Sequence, residues 1–459
     1  RISGVVFTGS TQVAQIINRK LAQRTIAEGR EIALIAETGG QNTMVVDSSA
    51  LCEQVVRDVI TSAFDSAGQR CSALRVLCLQ TDIAEQTLAM LHGAMQELQI
   101  GSPDLLATDI GPVIDTEAQR NLQTYIEHAR KIGRAVTQLT LPASTAADTF
   151  VAPAIIEIDR IADLQREVFG PVLHVLRYRR DDLPQLVADI NASGYGLTLG
   201  IHSRIDETIA FIVDHARVGN TYVNRNIVGA VVGVQPFGGE GKSGTGPKAG
   251  GPLYLKRLQR KSASTPDADL NGEIETLKRP MQPALAALLS WSETDGQQQL
   301  AALCRRYAND SLYGTSLQLP GPTGESNTLR FAARGAVLCM AENAATLLNQ
   351  LAAVFSTGNR AVILTNASLP SDLPAEIRRH IRIAAQHQDC DDLALALYET
   401  AMSELLPSLA ARDGTIVSTL VTKDQEPIAL WRLVVERVVC VNTTAAGGNT
   451  GLMVLESRA

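Results

Sequence analysis

The sequence predicts an α/β protein with more than one core, and three observations carry that prediction. Its 459 residues exceed what one compact core accommodates and suggest roughly two or three domains. Hydrophobic residues make up 45% and charged residues 19%, the balance of packed layers rather than of a disordered chain. Short apolar runs alternate with stretches of helical periodicity, and neither strict short repeats nor low-complexity tracts interrupt them.

The first forty residues read as a βαβ unit. Residues 5–7 are apolar, Val13, Ile16, Ile17 and Leu21 keep helical spacing, and residues 32–36 are apolar again. Gly9 and Ser10 fall where the first strand turns into the helix, so backbone N–H groups and the positive helix end would favour an anion, commonly a phosphate. A simple turn and helix cap at Gly9-Ser10-Thr11 would account for the same residues. A Rossmann-type dinucleotide domain is built from two such halves, and only one precedes the change of pattern near Glu37. The domain is therefore expected to be incomplete here, its other half upstream or elsewhere.

Cys52, Val55, Val56, Val59, Ile60 and Ala63 repeat as one face of a helix, which Gly68 can end in a left-handed cap. Cys71 follows at once and residues 74–79 read as a strand, so Cys71 occupies a helix-to-strand junction of the kind that projects side chains into clefts. Residues 259–272, with Lys261-Ser262-Ala263-Ser264-Thr265-Pro266-Asp267, are polar and rich in turn formers, and a domain boundary is expected there. Beyond it, strand-like runs at 336–340, 361–364 and 415–421 alternate with helical ones such as 344–355, a second α/β layer.

The formal net charge of -7 offers no basic face, so nucleic acid is not an expected partner. No apolar run approaches the roughly eighteen residues of a transmembrane segment, and Arg1 opens neither a signal sequence nor a chain with Met. A cytoplasmic location is expected. Since a strand follows Arg1 almost directly, upstream residues are expected to be absent. Cys52, Cys71, Cys78, Cys304, Cys339, Cys390 and Cys440 are scattered, odd in number and free of C-x-x-C pairs, which points to neither disulfides nor zinc. The seven histidines, with His202 and His215 expected on polar segments, form no H-x-x-x-H spacing, and no metal is expected.

Cys71, in Gly68-Gln69-Arg70-Cys71-Ser72, stands thirty-four positions after Glu37, in Glu37-Thr38-Gly39-Gly40-Gln41. Taken singly, a cysteine is most often a small core residue and a glutamate after a strand a solvated end. Further on stand Glu167-Val168-Phe169-Gly170-Pro171, then Pro236-Phe237-Gly238-Gly239 leading to Ser243-Gly244. In order and spacing these motifs resemble the aldehyde dehydrogenase superfamily, over residues 1 to about 258. Oxidising an aldehyde to an acid needs a nucleophile to form a hemithioacetal, a hydride acceptor, and a base for the hydrolysing water. Cys71, a nicotinamide and Glu37 would supply them. Backbone amides at such a turn can favour the thiolate and later the oxyanion, with the Cys71 amide as candidate donor. An enzyme handing its thioester to coenzyme A has no use for that base, so Glu37 argues for hydrolysis.

The resemblance implies NAD as cofactor, with Glu167 on the nicotinamide-ribose hydroxyls, Phe169 beside the nicotinamide, and Gly9 and Ser10 approaching the pyrophosphate. A loop salt bridge would explain Glu167 equally well by itself. The family's other oxyanion donor, an Asn, and its adenosine-ribose contacts belong to a stretch upstream of the Gly9 turn that this sequence does not contain. The chain alone is thus expected to be incomplete as a catalyst.

Gly241-Lys242-Ser243-Gly244-Thr245-Gly246-Pro247-Lys248-Ala249-Gly250-Gly251-Pro252 resembles the aldehyde-anchor loop of glutamate-semialdehyde dehydrogenases. Adjacent Gly250 and Gly251 let unhindered N–H groups close around a substrate carboxylate, and Ser72 could add a hydroxyl at the same end. A plain flexible loop is the alternative. By the same resemblance Phe237 lines the aldehyde pocket, although an aromatic beside two glycines is often only packing.

The tail carries Leu319-Pro320-Gly321-Pro322-Thr323-Gly324-Glu325-Ser326-Asn327-Thr328, Ala411-Arg412-Asp413-Gly414, and Val441-Asn442-Thr443-Thr444-Ala445-Ala446-Gly447-Gly448-Asn449. It resembles the carboxyl-terminal domain of long proline utilization A proteins. That resemblance implies a parent polypeptide with an upstream proline dehydrogenase domain holding FAD, a homo-oligomer, and channelling of the semialdehyde between two sites. The implied division is 1–37 as the second half of the NAD-binding domain, 38–235 as the catalytic domain and 236–258 as anchor loop and oligomerisation segment. A linker at 259–280 and an aldehyde dehydrogenase-like lid domain at 281–459 complete it. Val441-Asn442 before Gly447-Gly448 echoes Val223-Asn224 before Gly238-Gly239, as a degenerate copy of one fold would. The expected activity is NAD-dependent oxidation of L-glutamate γ-semialdehyde, formed from 1-pyrroline-5-carboxylate, to L-glutamate. An aldehyde dehydrogenase of another substrate class, or a non-catalytic scaffold, are the readings it competes with. Comparing acidic with neutral aldehydes separates the first, and intact Cys71 and Glu37 speak against the second.

Overall fold

The computed structural model describes residues 2–145, 148–259, 281–424 and 426–444. Among the described residues two compact units result, each gathered from separate stretches of chain: those within 2–38, 244–259, 281–318 and 328–437 in the first, and those within 39–243, 319–327 and 438–444 in the second.

The first unit opens with β1 (Gly4–Thr8), α1 (Thr11–Glu28) and β2 (Ala33–Glu37), the strands parallel and in register from Gly4 beside Ala33 to Thr8 beside Glu37. Helix α1 stops at Gly29, whose φ of 64° gives the left-handed cap that a Cβ would oppose. Of the four apolar positions spaced along α1, Leu21 is buried while Val13 and Ile16 are exposed.

The second unit contains β3 (Thr43–Val46), α2 (Cys52–Phe64), β4 (Val76–Gln80), α3 (Thr81–Gln96), α4 (Thr116–Lys131), β5 (Val136–Gln138), β6 (Ala154–Glu157) and β7 (Val172–Tyr178). It continues with α5 (Leu183–Ala192), β8 (Tyr195–Gly196), β9 (Thr198–His202), α6 (Asp206–His215), β10 (Asn220–Val223) and β11 (Glu240–Gly241). Its sheet runs β5-β6-β7-β4-β3-β9-β10, parallel except for β5 against β6. β3, β4 and β9 are buried along their whole length, which is why they read as continuous apolar runs rather than alternating ones. Of the strand predicted over 74–79, residues 76–79 lie in β4 and 74–75 precede it, and His202, expected on a polar segment, closes β9 with 1% exposure.

Past β12 (Ser316–Leu319) and β13 (Glu325–Ala333), the first unit resumes as β14 (Ala336–Met340), β15 (Arg360–Leu364), β16 (Ile381–Ala384), β17 (Leu393–Tyr398) and β18 (Ser418–Val421). These five parallel strands lie in the order β16-β15-β14-β17-β18, the outward-and-reversed order of a doubly wound sheet. The helix Ala344–Ser356 beside it is buried from Thr346 onward, which is why it is apolar on all sides apart from Thr346, Asn349, Gln350 and Ser356. A last strand, β19 (Val434–Asn442), pairs in parallel with β10 through Val438 to Val441. Apart from Gln259, the predicted boundary at 259–272 and linker at 259–280 fall outside the described residues, as does the Gly447-Gly448 echo.

Candidate active site

In the second unit, the residues after α2 form a tight turn rather than a simple helix cap. The helix ends at Phe64, and Ser66, Ala67 and Gly68 follow with φ of 56°, 52° and 63°. For the two non-glycine residues this left-handed conformation costs on the order of 1–2 kcal/mol each, the kind of strain that persists where surrounding structure over-determines a turn. Gly68 has to be glycine, since a Cβ there would sit 2.2 Å from the Gly170 carbonyl oxygen. The Cys71 turn and the Glu167–Gly170 loop are therefore packed backbone to backbone.

Asn42 fixes the turn from below. Its Nδ2 donates to the carbonyls of Cys71 (2.7 Å) and Ala73 (2.8 Å), while its Oδ1 accepts the Thr198 N–H at 3.1 Å. A second brace is Arg75, 1% exposed, whose Nη2 donates to the Arg70 carbonyl (3.1 Å) and to Glu167 Oε1 (3.2 Å) and whose Nη1 donates to the Gly170 carbonyl (3.1 Å). Its guanidinium carbon also stands 5.2 Å from the centre of the Phe169 ring. Burial lowers the pKa of Arg75, opposed by the charges of Glu167 and then Cys71. One buried cation thus serves the cysteine turn, the acidic side chain and the aromatic together.

Burial raises the Glu167 pKa, with Arg75 and the Gly40 N–H pulling the other way. A Cβ on Gly39 would fall 1.8 Å from Glu167 Oε2, so Gly39-Gly40 is the floor on which this carboxylate rests. Phe169 is 45% exposed, large for an apolar side chain held in place by a buried cation. Ser72 is buried, its carbonyl 3.4 Å from Thr198 Oγ1. Phe237, half-buried, is held through its neighbours: Asn220 Nδ2 donates to the Pro236 carbonyl (2.9 Å) and Asn220 Oδ1 accepts the Gly238 N–H (3.3 Å).

The first unit carries the remaining candidates. Gly9 N–H donates to the Glu37 carbonyl at 3.1 Å, and Ser10 caps α1, its Oγ accepting the Val13 N–H at 3.3 Å. Glu37 closes β2 and bridges Gly244 in antiparallel fashion; Thr245 locks the pairing by donating its N–H to the Ala36 carbonyl (2.9 Å) and accepting the Ala36 N–H on Oγ1 (2.9 Å). Gly250 adopts φ of 73° with open space about it, whereas the Gly251 N–H donates to the Lys248 carbonyl at 3.0 Å within the loop. Sequence reasoning did not single out Arg75, Asn42, Asn220 or Thr245. Their signal is burial of polar side chains, which no local pattern displays.

Among the described residues no helix is long and apolar enough to cross a membrane, and no group of three or more acidic, histidine or cysteine side chains is arranged to hold a metal.

The profile of the aldehyde dehydrogenase family matches residues 1–262. The "Bifunctional protein PutA" of Escherichia coli (strain K12) is 51% identical over 478 residues, covering 99% of this chain and 36% of that protein. The "1-pyrroline-5-carboxylate dehydrogenase" of Geobacillus kaustophilus is 35% identical over 263 residues, 57% of this chain and 50% of that protein. A solved structure, proline utilization A from Corynebacterium freiburgense, shares the fold over 96% of this chain and 42% of its own at a TM-score of 0.71 and 23% identity. The chain spans 36% of the length of the E. coli relative. With a family profile covering more than half of it, this chain belongs to the aldehyde dehydrogenase family.

Proposed function

We propose that the chain supplies the nucleophile, Cys71, and the base, Glu37, for NAD-dependent oxidation of L-glutamate γ-semialdehyde to L-glutamate by a longer parent polypeptide, and is incomplete as a catalyst by itself. The observation that carries the reading is the Arg75 brace, which ties the Cys71 turn to Glu167 and Phe169 through one buried guanidinium. The substrate follows from the relatives, one of them named a 1-pyrroline-5-carboxylate dehydrogenase, whose named substrate opens with water to the semialdehyde.

NAD fits the residues present: Glu167 on its Gly39-Gly40 floor suits ribose hydroxyls, Phe169 offers a flat apolar face, and the capped amino end of α1 at Gly9-Ser10 suits a pyrophosphate. When bound, NAD supplies the hydride acceptor. The Cys71 thiolate adds to the aldehyde carbon, forming a C–S bond, and its own N–H is the candidate donor to the oxyanion. Loss of hydride from that carbon leaves an acyl thioester on Cys71. Glu37 takes a proton from water, the hydroxide oxygen bonds to the acyl carbon, the C–S bond breaks, and the carboxylic acid leaves with Cys71 as thiolate again. Gly250 and Ser72 are the candidates to hold the substrate carboxylate, the Gly251 N–H being taken up by the Lys248 carbonyl, and Phe237 is the candidate lining of the aldehyde pocket. FAD chemistry belongs, in this proposal, to a proline dehydrogenase domain of the longer parent rather than to these residues.

NADH formation from glutamate semialdehyde by the full-length protein tests the proposal beside a Cys71→Ala control. Turnover that the control abolishes supports both substrate and nucleophile. A wild-type enzyme that reduces NAD with neutral aldehydes alone would point to another substrate class, and one inert to all aldehydes to a scaffold.

A further inference from the structure

We infer that Glu436, near the carboxyl end, is a positioning residue for the substrate-carboxylate loop, its side chain being the template around which residues 248–253 fold. The inference rests on the proposed role of that loop. Strand β19 alternates buried and half-buried positions, and Glu436 falls in the buried file between Val434 and Val438, at 6% exposure. An acidic group in an otherwise apolar file is costly to desolvate and needs specific partners.

Its partners are the loop. Glu436 Oε2 accepts the Lys248 N–H at 2.8 Å, and the Leu253 N–H donates to the same carboxylate, so both ends of a six-residue segment converge on one side chain. Gly251 lies against the other oxygen: a Cβ there would be 2.5 Å from Glu436 Oε1. The glycine of the loop is therefore required by the carboxylate beneath it, and Gly250, with φ of 73°, turns the chain over it. Burial raises the Glu436 pKa to about 7, with the Lys248 and Leu253 N–H groups and the charges of Lys248 and Arg334 opposing, as a carboxylate this enclosed would show.

The start of the same stretch is held separately. Gly244 and Thr245 pair with β2 at Glu37 and Ala36, and Arg334 Nη2 donates to the Thr245 carbonyl at 3.2 Å. Losing Glu436 would thus release residues 248–253 while leaving the strand that bears Glu37 in place. The consequence is a separation of kinetic constants, with substrate binding weakened and the chemical step kept.

In the full-length enzyme, Glu436→Ala is expected to raise KM for glutamate semialdehyde about tenfold or more, the usual consequence of losing hydrogen bonds to a charged acceptor. Under the same conditions kcat and KM for NAD stay within about twofold. Glu436→Gln keeps size and one acceptor oxygen and holds KM within about threefold. Gly251→Ala reproduces the Glu436→Ala defect, and the double variant is less than additive, because removal of the carboxylate clears the closest contact of the methyl and leaves only the Lys248 carbonyl oxygen at 3.1 Å. An unchanged KM in Glu436→Ala, additive penalties in the double variant, or a parallel loss in kcat and both KM values would overturn the inference. Should the wild type ignore the semialdehyde, the assigned substrate fails. Hydrogen exchange at the Lys248 and Leu253 amides, expected to quicken about tenfold or more in Glu436→Ala, then still decides whether Glu436 holds the loop.

Discussion

Arg75 donates to two backbone carbonyls and one carboxylate while almost wholly removed from water. Replacing it by Met leaves Glu167 without its counter-charge and the Arg70 and Gly170 carbonyls without a donor, and breaking such a buried pair costs roughly 3–5 kcal/mol. Arg75→Met is therefore expected to lower the urea midpoint at unchanged slope, and to raise KM for NAD because Glu167 loses its anchor. A different signature belongs to Glu37. If it activates only the hydrolysing water, Glu37→Gln leaves thioester formation intact and slows its release, roughly 10²-fold or more. Rapid mixing should then show one NADH per active site followed by near-arrest; slow NADH formation with no burst would count against this role.

The strands carry their own titration. His174, inside β7, has Nδ1 at 2.9 Å from the Arg75 carbonyl and Nε2 at 2.8 Å from the Tyr125 hydroxyl. A carbonyl only accepts, so Nδ1 bears the proton and Nε2 receives that of Tyr125, a neutral imidazole with both nitrogens satisfied. Burial depresses its pKa to about 4. Because this folded value lies below the unfolded one, the unfolded chain binds the extra proton first. The contribution is fully present above about pH 6.5 and is lost as pH falls toward 4, up to about 3 kcal/mol in all. Unfolding in urea at pH 7 and pH 5 should show that loss, and His174→Gln should flatten the dependence by about one proton. At the same scale the sequence was partly legible. The positions of β1, α1 and β2 and the buried face of α2 followed from periodicity, whereas the buried face of α1, on which Val13 and Ile16 do not lie, and the end of α2 did not. Its turn is set by contact with the Gly170 carbonyl, a residue about a hundred positions away.

For the molecule as a whole, neither compact unit is a continuous piece of chain. Residues 438–441 of β19 pair with β10, so a chain ending near residue 258 would leave the backbone of Asn220–Val223 without that neighbour. An exposed, apolar edge of this kind recruits other copies. Such a truncated protein is expected to form large particles in light scattering under conditions where the full-length protein stays monodisperse. A monodisperse truncated protein would show that β10 needs no cover. The truncation also removes Glu436, so any soluble fraction should display the raised KM for semialdehyde.

Composition and periodicity determined by themselves that this is a layered α/β chain, and the short motifs around Glu37, Cys71, Glu167 and Pro236 sufficed to mark the family, because local residue types at fixed spacing survive in the sequence as written. What holds those motifs was decided by the tertiary structure. Arg75, Asn42, Asn220 and Glu436 are ordinary polar residues until folding buries them, and only then does the cost of desolvation demand partners far along the chain. Gly39, Gly68 and Gly251 are likewise explained by an atom brought from elsewhere into the space of a missing Cβ, a constraint that exists only in three dimensions.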